Sequence, residues 1–232
     1  MCGRYTVMSP DEVASDLQAA IAPGSTDSEW WKSRFNVAPT QPAPVVTLRD
    51  GVRMLELMRW GLVPHWAKPG SGKKPPLMIN TRVESIEAKP MFRDALARRR
   101  CLVAANGFFE WKRAGKLALP MYFHPQRDRH VAFAGIWMRA GDITSFSIVT
   151  GPANPLVAPI HDRMPVLLDP SLYAAWLDPA VDAAGAHALL GVPDVGDWHV
   201  QQVSTWVNKA DHDDPRCIEP VVEPAKAQGE LF

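Results

Sequence analysis

Residues 101–112 carry the sequence CLVAANGFFEWK, and they decide the fold that we expect. The apolar run 101–105 predicts a buried strand, and residues 107–112 predict a second strand that a turn at 113–116 folds back. Three more strands are predicted at 119–124, 131–138 and 144–150, a spacing that suits a meandering sheet or barrel. We therefore predict an α+β fold, a single domain whose mostly antiparallel, barrel-like core is flanked by short helices.

The rest of the chain adds short elements around this core. A helix is predicted from Ser9, as N-cap before Pro10, to about Ile21, and Asp50-Gly51 predicts a hairpin. Further predicted elements are a strand at 2–7, strands at 44–48 and 52–58 beside the hairpin, a strand at 79–84, a basic helix at 91–100, helices opening at Asp169 and Asp178, and strands at 198–203 and 217–222. We place the domain at 1–222 and a tail at 223–232, and we expect a monomer.

Composition excludes several classes of protein. The 25 Lys and Arg balance the 25 Asp and Glu, which argues against a polybasic coating of duplex DNA. Three cysteines without metal-ligand spacing predict neither a disulfide framework nor a zinc site, and we expect no cofactor. No apolar stretch approaches the roughly 20 residues of a membrane span, and no signal peptide is recognisable. Because no Gly-rich phosphate loop or Gly-x-Ser-x-Gly motif occurs, nucleotide-dependent and α/β-hydrolase chemistry lack support.

Cys2 holds a special chemical position. Removal of Met1 would place a free α-amine and a thiol on the same residue. With ordinary pKa values of about 7.7 to 8.0 and about 8.5, the amine is partly neutral and the thiol partly ionised near neutral pH. Such an aminothiol condenses with an aldehyde to an imine, which the sulfur then closes to a thiazolidine. The simpler interpretation is a small residue after the initiator.

Five other polar residues, in three parts of the chain, are candidates for chemistry. Asn80, Arg82 and Glu84 share one face of a predicted strand, which would either line a groove or face solvent. Glu110 stands among three aromatic residues, where burial would raise its pKa into a range useful for proton transfer. The alternative for Glu110 is an outward strand position. His161 lies in a His-Asp-Arg cluster between prolines and can act near neutral pH, although such clusters are common on surfaces.

These positions fall within six ordered motifs. Together the motifs resemble the SOS-response-associated peptidase family of abasic-site-processing proteins, from Cys2 to about Val222. The motifs are Cys2-Gly3-Arg4-Tyr5, Asn36-Val37-Ala38-Pro39, Trp60-Gly61-Leu62-Val63-Pro64, Asn80-Thr81-Arg82-Val83-Glu84, Gly107-Phe108-Phe109-Glu110-Trp111 and His161-Asp162-Arg163-Met164-Pro165.

The resemblance implies a function and a role for each site residue. The mature N-terminal Cys2 would form a thiazolidine with the aldehyde of an abasic site in single-stranded DNA. Asn80 would hydrogen-bond near the reacting sugar, Glu110 would position the α-amine and relay its proton, and His161 would protonate the sugar oxygen. Arg4, Arg82 and Arg163 would bind phosphates. Pro39 and Trp66 would form the wedge and stacking surface. If Met1 is retained, the amine is blocked and this chemistry cannot operate.

Other functions remain open at this stage. One is weak abasic-site lyase activity through the same imine. Another is a cysteine peptidase, acting on its own Met1 or more widely, with Cys2 as nucleophile, His161 as base and Asn80 as oxyanion donor. A third is a non-enzymatic single-strand-binding module. We expect a cytoplasmic protein found at damaged DNA of the nucleoid. The tail Gln228–Phe232 resembles peptides that dock on a sliding clamp; the simpler interpretation is a disordered hydrophobic terminus with no binding role.

Overall fold

The computed structural model describes residues 2–64, 77–127, 129–191 and 196–221. Within these ranges the strands are β1 Arg4–Val7, β2 Ala20–Ile21, β3 Arg34–Val37, β4 Pro42–Arg49, β5 Val52–Trp60, β6 Asn80–Arg82, β7 Arg100–Ala105, β8 Gly107–Ala114, β9 Leu117–Pro125, β10 Val131–Ala140, β11 Ile143–Pro152, β12 Arg163–Pro165, β13 Leu167–Leu168 and β14 Trp198–Gln202. The α-helices are α1 Pro10–Asp16, α2 Pro90–Arg98, α3 Tyr173–Leu177 and α4 Ala183–Ala188. Short 3₁₀ helices lie at Val83–Ser85, Pro170–Leu172, Thr205–Asn208 and Pro215–Cys217.

The strands form two sheets. One has the order β14-β9-β8-β1-β3 and is antiparallel at each of its pairings. The other contains the path β11-β10-β7-β4-β5, and a parallel pairing of β11 with β5 closes this path into a ring. The predicted α+β fold with a mostly antiparallel, barrel-like core is confirmed. None of the helices in the described ranges has the length and hydropathy needed to span a membrane.

Aromatic side chains join the open sheet to the closed ring. Tyr5 on β1 packs edge-on against Trp60 of β5, with ring centroids 5.1 Å apart, and against Phe133 of β10 at 6.1 Å. Phe108 on β8 also meets Phe133 edge-on at 6.1 Å and stacks on Phe123 of β9 at 5.0 Å. All five side chains are fully buried. Since each buries about 150 to 250 Å², this cluster fixes β1, and with it Cys2, against the ring.

Gly107, the first residue of β8, lies too close to β9 to carry a side chain. A Cβ at Gly107 would lie 2.4 Å from the carbonyl oxygen of Phe123, closer than any side chain tolerates. The neighbouring Asn106 accepts a hydrogen bond from the backbone N–H of Met8 at 2.7 Å. Gly107 thus allows the close packing of β8 on β9, while the side chain of Asn106 ties the start of β8 to the end of β1.

Tertiary packing overrides several predicted boundaries. The helix predicted from Ser9 to Ile21 ends at Asp16, because residues 20–21 pair instead with the open edge of β5. Ser9 does not cap this helix through its side chain; its φ is 46°. The second late helix begins not at Asp178 but at Ala183, where Asp182 accepts a hydrogen bond from Gly185 N–H at 2.8 Å.

Of two other predicted strands, one is shorter than expected and one does not form. The strand predicted at 79–84 ends at Arg82, and the chain then turns into the 3₁₀ helix Val83–Ser85, so Glu84 leaves the strand face. Residues 217–221 form no strand; the bridge of Val203 with Pro220 is their one sheet contact among the described residues. Met1, Trp66 and the tail Gln228–Phe232 lie outside the described residues, so the predictions on them and the domain boundary at 222 stay predictions.

Candidate functional site

Cys2 lies at the entry of β1 and is fully buried. Its Sγ donates a hydrogen bond to the carbonyl oxygen of Arg4 at 3.6 Å. Burial raises the pKa of the Cys2 thiol well above its ordinary value, and the negative charge of Glu110 raises it further. Reactive thiolates in proteins occupy electropositive, partly exposed surroundings, which this thiol lacks. At neutral pH the sulfur is therefore held as a protonated thiol.

Asn80 anchors the backbone of Cys2. Asn80 begins β6, which runs parallel to β11 with Asn80 paired to Ile148. Its side-chain Nδ2 donates a hydrogen bond to the carbonyl oxygen of Cys2 at 2.8 Å. The Oδ1 of the same amide is buried and has no hydrogen-bond partner among the described residues. One oxygen of Asn80 is thus available to a donor that enters the site.

Glu110 lies near enough to Cys2 for its charge to act on the thiol. Antiparallel pairing of β8 with β1 sets Phe109 opposite Arg4, so Glu110 follows one residue beyond this pair. The Glu110 side chain is buried, and burial raises its pKa from 4.5 to about 7, with the negative charge of Asp162 adding to the rise. A carboxyl with this pKa exchanges protons readily at neutral pH.

His161 lies on the loop before β12 with its ring half-buried. Its Nδ1 accepts a hydrogen bond from the backbone N–H of Arg163 at 3.0 Å and lies 2.9 Å from Oδ1 of Asp162. In the neutral ring Nδ1 is the acceptor, so the proton is on Nε2; in the charged ring Nδ1–H turns to Asp162. Burial lowers the pKa of His161, and the charge of Asp162 opposes this.

Glu110 and His161 line a common cleft of about 470 Å³. The cleft opens between β8 and the loop before His161. Its other walls are Trp111, Lys112, Arg113, Ala118, Pro159 and Ile160. The structure therefore brings together all four residues predicted to carry chemistry: Asn80 and Glu110 meet at Cys2, and Glu110 shares the cleft with His161.

The predicted phosphate-binding arginines differ in their availability. Arg82 is exposed and has no ion pair among the described residues. Arg163 binds both oxygens of Glu84, at 2.9 and 2.8 Å, and the carbonyl of Thr150 at 2.7 Å. The hydrogen bonds from Arg163 hold the pKa of Glu84 below its ordinary value. Of these two arginines, only Arg82 has a guanidinium without a partner in the part of the chain that the structure describes.

Arg4 is held by the segment that follows β14. Its Nη1 donates to Asn36 Oδ1 at 3.0 Å and to the carbonyl of Val207 at 2.8 Å. Asn36 in turn donates to the same Val207 carbonyl at 3.1 Å. Pro39, predicted to form a wedge, is half-buried in the turn between β3 and β4, where Thr40 N–H donates to the carbonyl of Trp60 at 2.8 Å.

An ion pair between the buried Arg34 and the partly exposed Asp213, which the sequence does not reveal, holds β3 beside Arg4. Asp213 accepts hydrogen bonds from the guanidinium of Arg34 and from the backbone N–H groups of Phe35, at 2.6 Å, and Asn36, at 2.9 Å. Arg34 is 1% exposed. The two charges are 179 residues apart in the chain, so no local pattern indicates them.

Trp111 also contacts the segment that follows β14: its Nε1 donates a hydrogen bond to Asn208 Oδ1 at 2.7 Å. In the sequence, only the position of Trp111 beside Glu110 in the aromatic motif indicates that this residue belongs to the site.

The described part of the chain contains no group of three or more His, Cys, Asp or Glu side chains arranged to hold a metal ion.

Comparisons with known proteins identify the family of this chain. The model of the family described as SOS response associated peptidase (SRAP) matches residues 1–210. Abasic site processing protein YoqW of Bacillus subtilis (strain 168) is 35% identical over 228 residues, covering 94% of this chain and 99% of that protein. Abasic site processing protein YedK of Escherichia coli (strain K12) is 30% identical over 234 residues, covering 95% and 100%.

A protein of known structure shares the fold. The crystal structure of a protein from Bacteroides thetaiotaomicron superposes with a TM-score of 0.85 at 23% identity, covering 95% of this chain and 100% of that one. At this identity the likeness supports the fold alone. The family model spans most of the chain and the two relatives are 30% identical or more over nearly their whole length, so this chain belongs to the SOS-response-associated peptidase family.

Proposed function

We propose that this protein processes abasic sites in single-stranded DNA by bonding covalently to them through Cys2 after Met1 is removed. The observation that carries the proposal is the convergence of Asn80 and Glu110 on Cys2. The relatives named above are abasic site processing proteins, which supports the choice of lesion. An abasic deoxyribose opens to an aldehyde, the group that an N-terminal aminothiol captures.

The raised pKa of the thiol sets the order of the reaction. The neutral α-amine of Cys2 attacks the aldehyde carbon, a C–N bond forms, and loss of water leaves an imine. The sulfur then adds to the imine carbon, a C–S bond forms, and the thiol proton passes to the ring nitrogen. The balance is one water released, with no oxidation or reduction. The thiol is needed only in the second step, so its protonation beforehand is no obstacle.

Two neighbouring groups move the protons. Glu110, with a pKa of about 7, accepts a proton from the α-amine and returns it to the leaving water. His161 shares the cleft and, from Nε2 of its neutral ring, donates a hydrogen bond to the sugar oxygen during ring opening. Asn80 holds the Cys2 carbonyl, and its free Oδ1 accepts a hydrogen bond from the amine or a sugar hydroxyl. Arg82 binds a phosphate beside the lesion; contacts of Arg4 and Arg163 with phosphate are part of the same proposal.

The peptidase alternative has weaker physical support. A cysteine nucleophile needs the thiolate, and burial of Cys2 raises the pKa of its thiol. Lyase activity would use the same imine and is compatible with the site.

The test is covalent capture of an oligonucleotide. Purified protein, with removal of Met1 verified by mass spectrometry, is mixed with single-stranded DNA that carries one abasic site and then denatured. We expect a shifted band for the wild type and none for Cys2→Ala. Cys2→Ala and Cys2→Ser both keep the α-amine but lack the sulfur, so a band from either variant should require borohydride reduction of the imine.

A matched control separates the amine from the thiol. One serine inserted between Met1 and Cys2 leaves the thiol in the chain but moves the free amine off Cys2. This variant should give no denaturant-stable band. A full band from Cys2→Ala, or from the insertion variant without borohydride, contradicts the thiazolidine.

A further inference from the structure

The hairpin formed by the ends of β8 and β9 projects beyond the site. It begins two residues after Glu110, and residues 112–118 are all exposed. Leu117 is the most exposed large hydrophobic residue in the described chain, at 66%. Gly115, with φ +61°, and Lys116 form the two-residue turn between paired Ala114 and Leu117. We call residues 112–118 the basic hairpin.

Charge distinguishes the basic hairpin from the rest of the chain. No Asp or Glu occurs between Glu110 and Asp128, although the whole sequence has as many acidic as basic residues. The exposed cations Lys112, Arg113 and Lys116 have no ion pair among the described residues. Some exposed arginines elsewhere are neutralised, as where Arg129 binds Asp197 at 2.8 Å, whereas Arg82 and Arg93 also have no ion pair among the described residues. Positive charge therefore accumulates locally on a neutral protein.

The alternation of side chains along β8 places two of these cations, Lys112 and Arg113, beside the site. Successive side chains of a strand lie on opposite faces, so Lys112 shares the face of Glu110 and Arg113 shares the face of Trp111. Lys112 and Arg113 both line the cleft that also contains Glu110 and His161. A strand of nucleic acid whose reacting sugar lies at Cys2 would leave the site along this cleft.

We propose that the basic hairpin is a second DNA-binding element, in which Lys112, Arg113 and Lys116 bind phosphates of the strand that leaves the site. Leu117 supplies an apolar contact for a sugar or base at the tip. The path of the DNA strand along the cleft rests on the proposed function. The affinity of the basic hairpin for a phosphodiester backbone does not rest on that function, since it depends on charge and exposure alone.

The test uses an intact single strand, which has no aldehyde and cannot react. Binding is measured by fluorescence anisotropy across a salt series for the wild type and for the triple variant K112Q/R113Q/K116Q. Each lost phosphate contact on a single strand lowers the slope of log affinity against log salt by about 0.7, so the slope should fall by about 2. If affinities converge near 1 M salt, this equals a roughly 40-fold loss at physiological salt.

A matched control removes equal charge elsewhere. The variant K89Q/R93Q/R98Q neutralises three exposed cations on and beside α2. Its salt slope should stay closer to that of the wild type than to that of the hairpin variant. Equal losses in the two variants, an unchanged slope in the hairpin variant, or no salt-dependent binding by the wild type would overturn the proposal. If the hairpin variant loses binding while the wild type captures no abasic site, the basic hairpin stands and the proposed function fails.

Discussion

Replacement of Glu110 by Gln tests the electrostatics of the site directly. The pKa of Glu110 is about 7 in the folded protein against an ordinary 4.5, and burial is the main cause. An acid whose pKa rises on folding stabilises the fold fully below pH 4.5 and loses that contribution as the pH rises through 7, since the buried carboxyl must then ionise. Gln is uncharged and nearly the same size, so the variant lacks this pH dependence.

The expected magnitude follows from the shift. At 1.36 kcal/mol for each pKa unit, the rise from 4.5 to about 7 corresponds to about 3 kcal/mol. The unfolding free energy of Glu110→Gln minus that of the wild type should therefore be about 3 kcal/mol larger at pH 8 than at pH 4.5. For a chain of this size the same change equals about 6 to 12 °C in the difference between the two melting temperatures.

The assay is urea unfolding of both proteins at pH steps across this range. Glu29→Gln, which removes an exposed carboxylate from a loop, is the control, and its difference from the wild type should change far less with pH. A difference for Glu110→Gln that stays within about 0.5 kcal/mol from pH 4.5 to pH 8 would refute the reasoning, because the carboxyl would then be ionised as easily in the folded as in the unfolded chain.

Three further predictions concern the surroundings of the site. Asp213→Ala leaves the guanidinium of Arg34 buried without its carboxylate, so we expect a loss of about 3 kcal/mol in urea unfolding; a loss below about 1 kcal/mol would contradict a buried ion pair. Gly107→Ala forces a Cβ against a β9 carbonyl and should cost about 3 kcal/mol or more by the same assay, and a neutral result would contradict the close approach. Glu84→Gln weakens the grip on Arg163, a half-exposed pair worth about 1 kcal/mol, so an intact single strand should bind up to about 5-fold more tightly at low salt; unchanged or weaker binding would show that the carboxylate does not compete with phosphate.

Local sequence patterns predict the core of this fold well. The strand at 101–105, the hairpin at Asp50-Gly51 and the meander through β11 all follow from apolar runs and turn residues. The elements that fail are short and depend on distant partners. Residues 20–21 become a strand because β5 offers them an edge, and the stretch 217–221 pairs with its neighbour through a single bridge at Pro220.

The same distinction between local patterns and distant contacts applies to the site. Cys2 and Glu110 carry chemical signals of their own, a possible aminothiol and a carboxylate among aromatics. The hydrogen bond from Asn80 to the Cys2 carbonyl joins residues 78 positions apart, and nothing in the sequence indicates it. The family resemblance implies for Asn80 only a hydrogen bond near the reacting sugar. The ion pair of Arg163 is still harder to predict from the sequence, because its partner Glu84 lies 79 positions away and the sequence places Glu84 on a strand face.

The arginines around the site differ in what a phosphate must displace. Arg82 is exposed and can bind a phosphate at once, which makes it the expected first contact. A phosphate that reaches Arg163 must replace Glu84, whose carboxylate already fills the bidentate position. The backbone N–H of Arg163 also donates a hydrogen bond to His161, so this exchange would occur beside the group that we propose to act on the sugar. Strand binding at Arg163 would therefore bear on the orientation of His161, whereas binding at Arg82 alone would not.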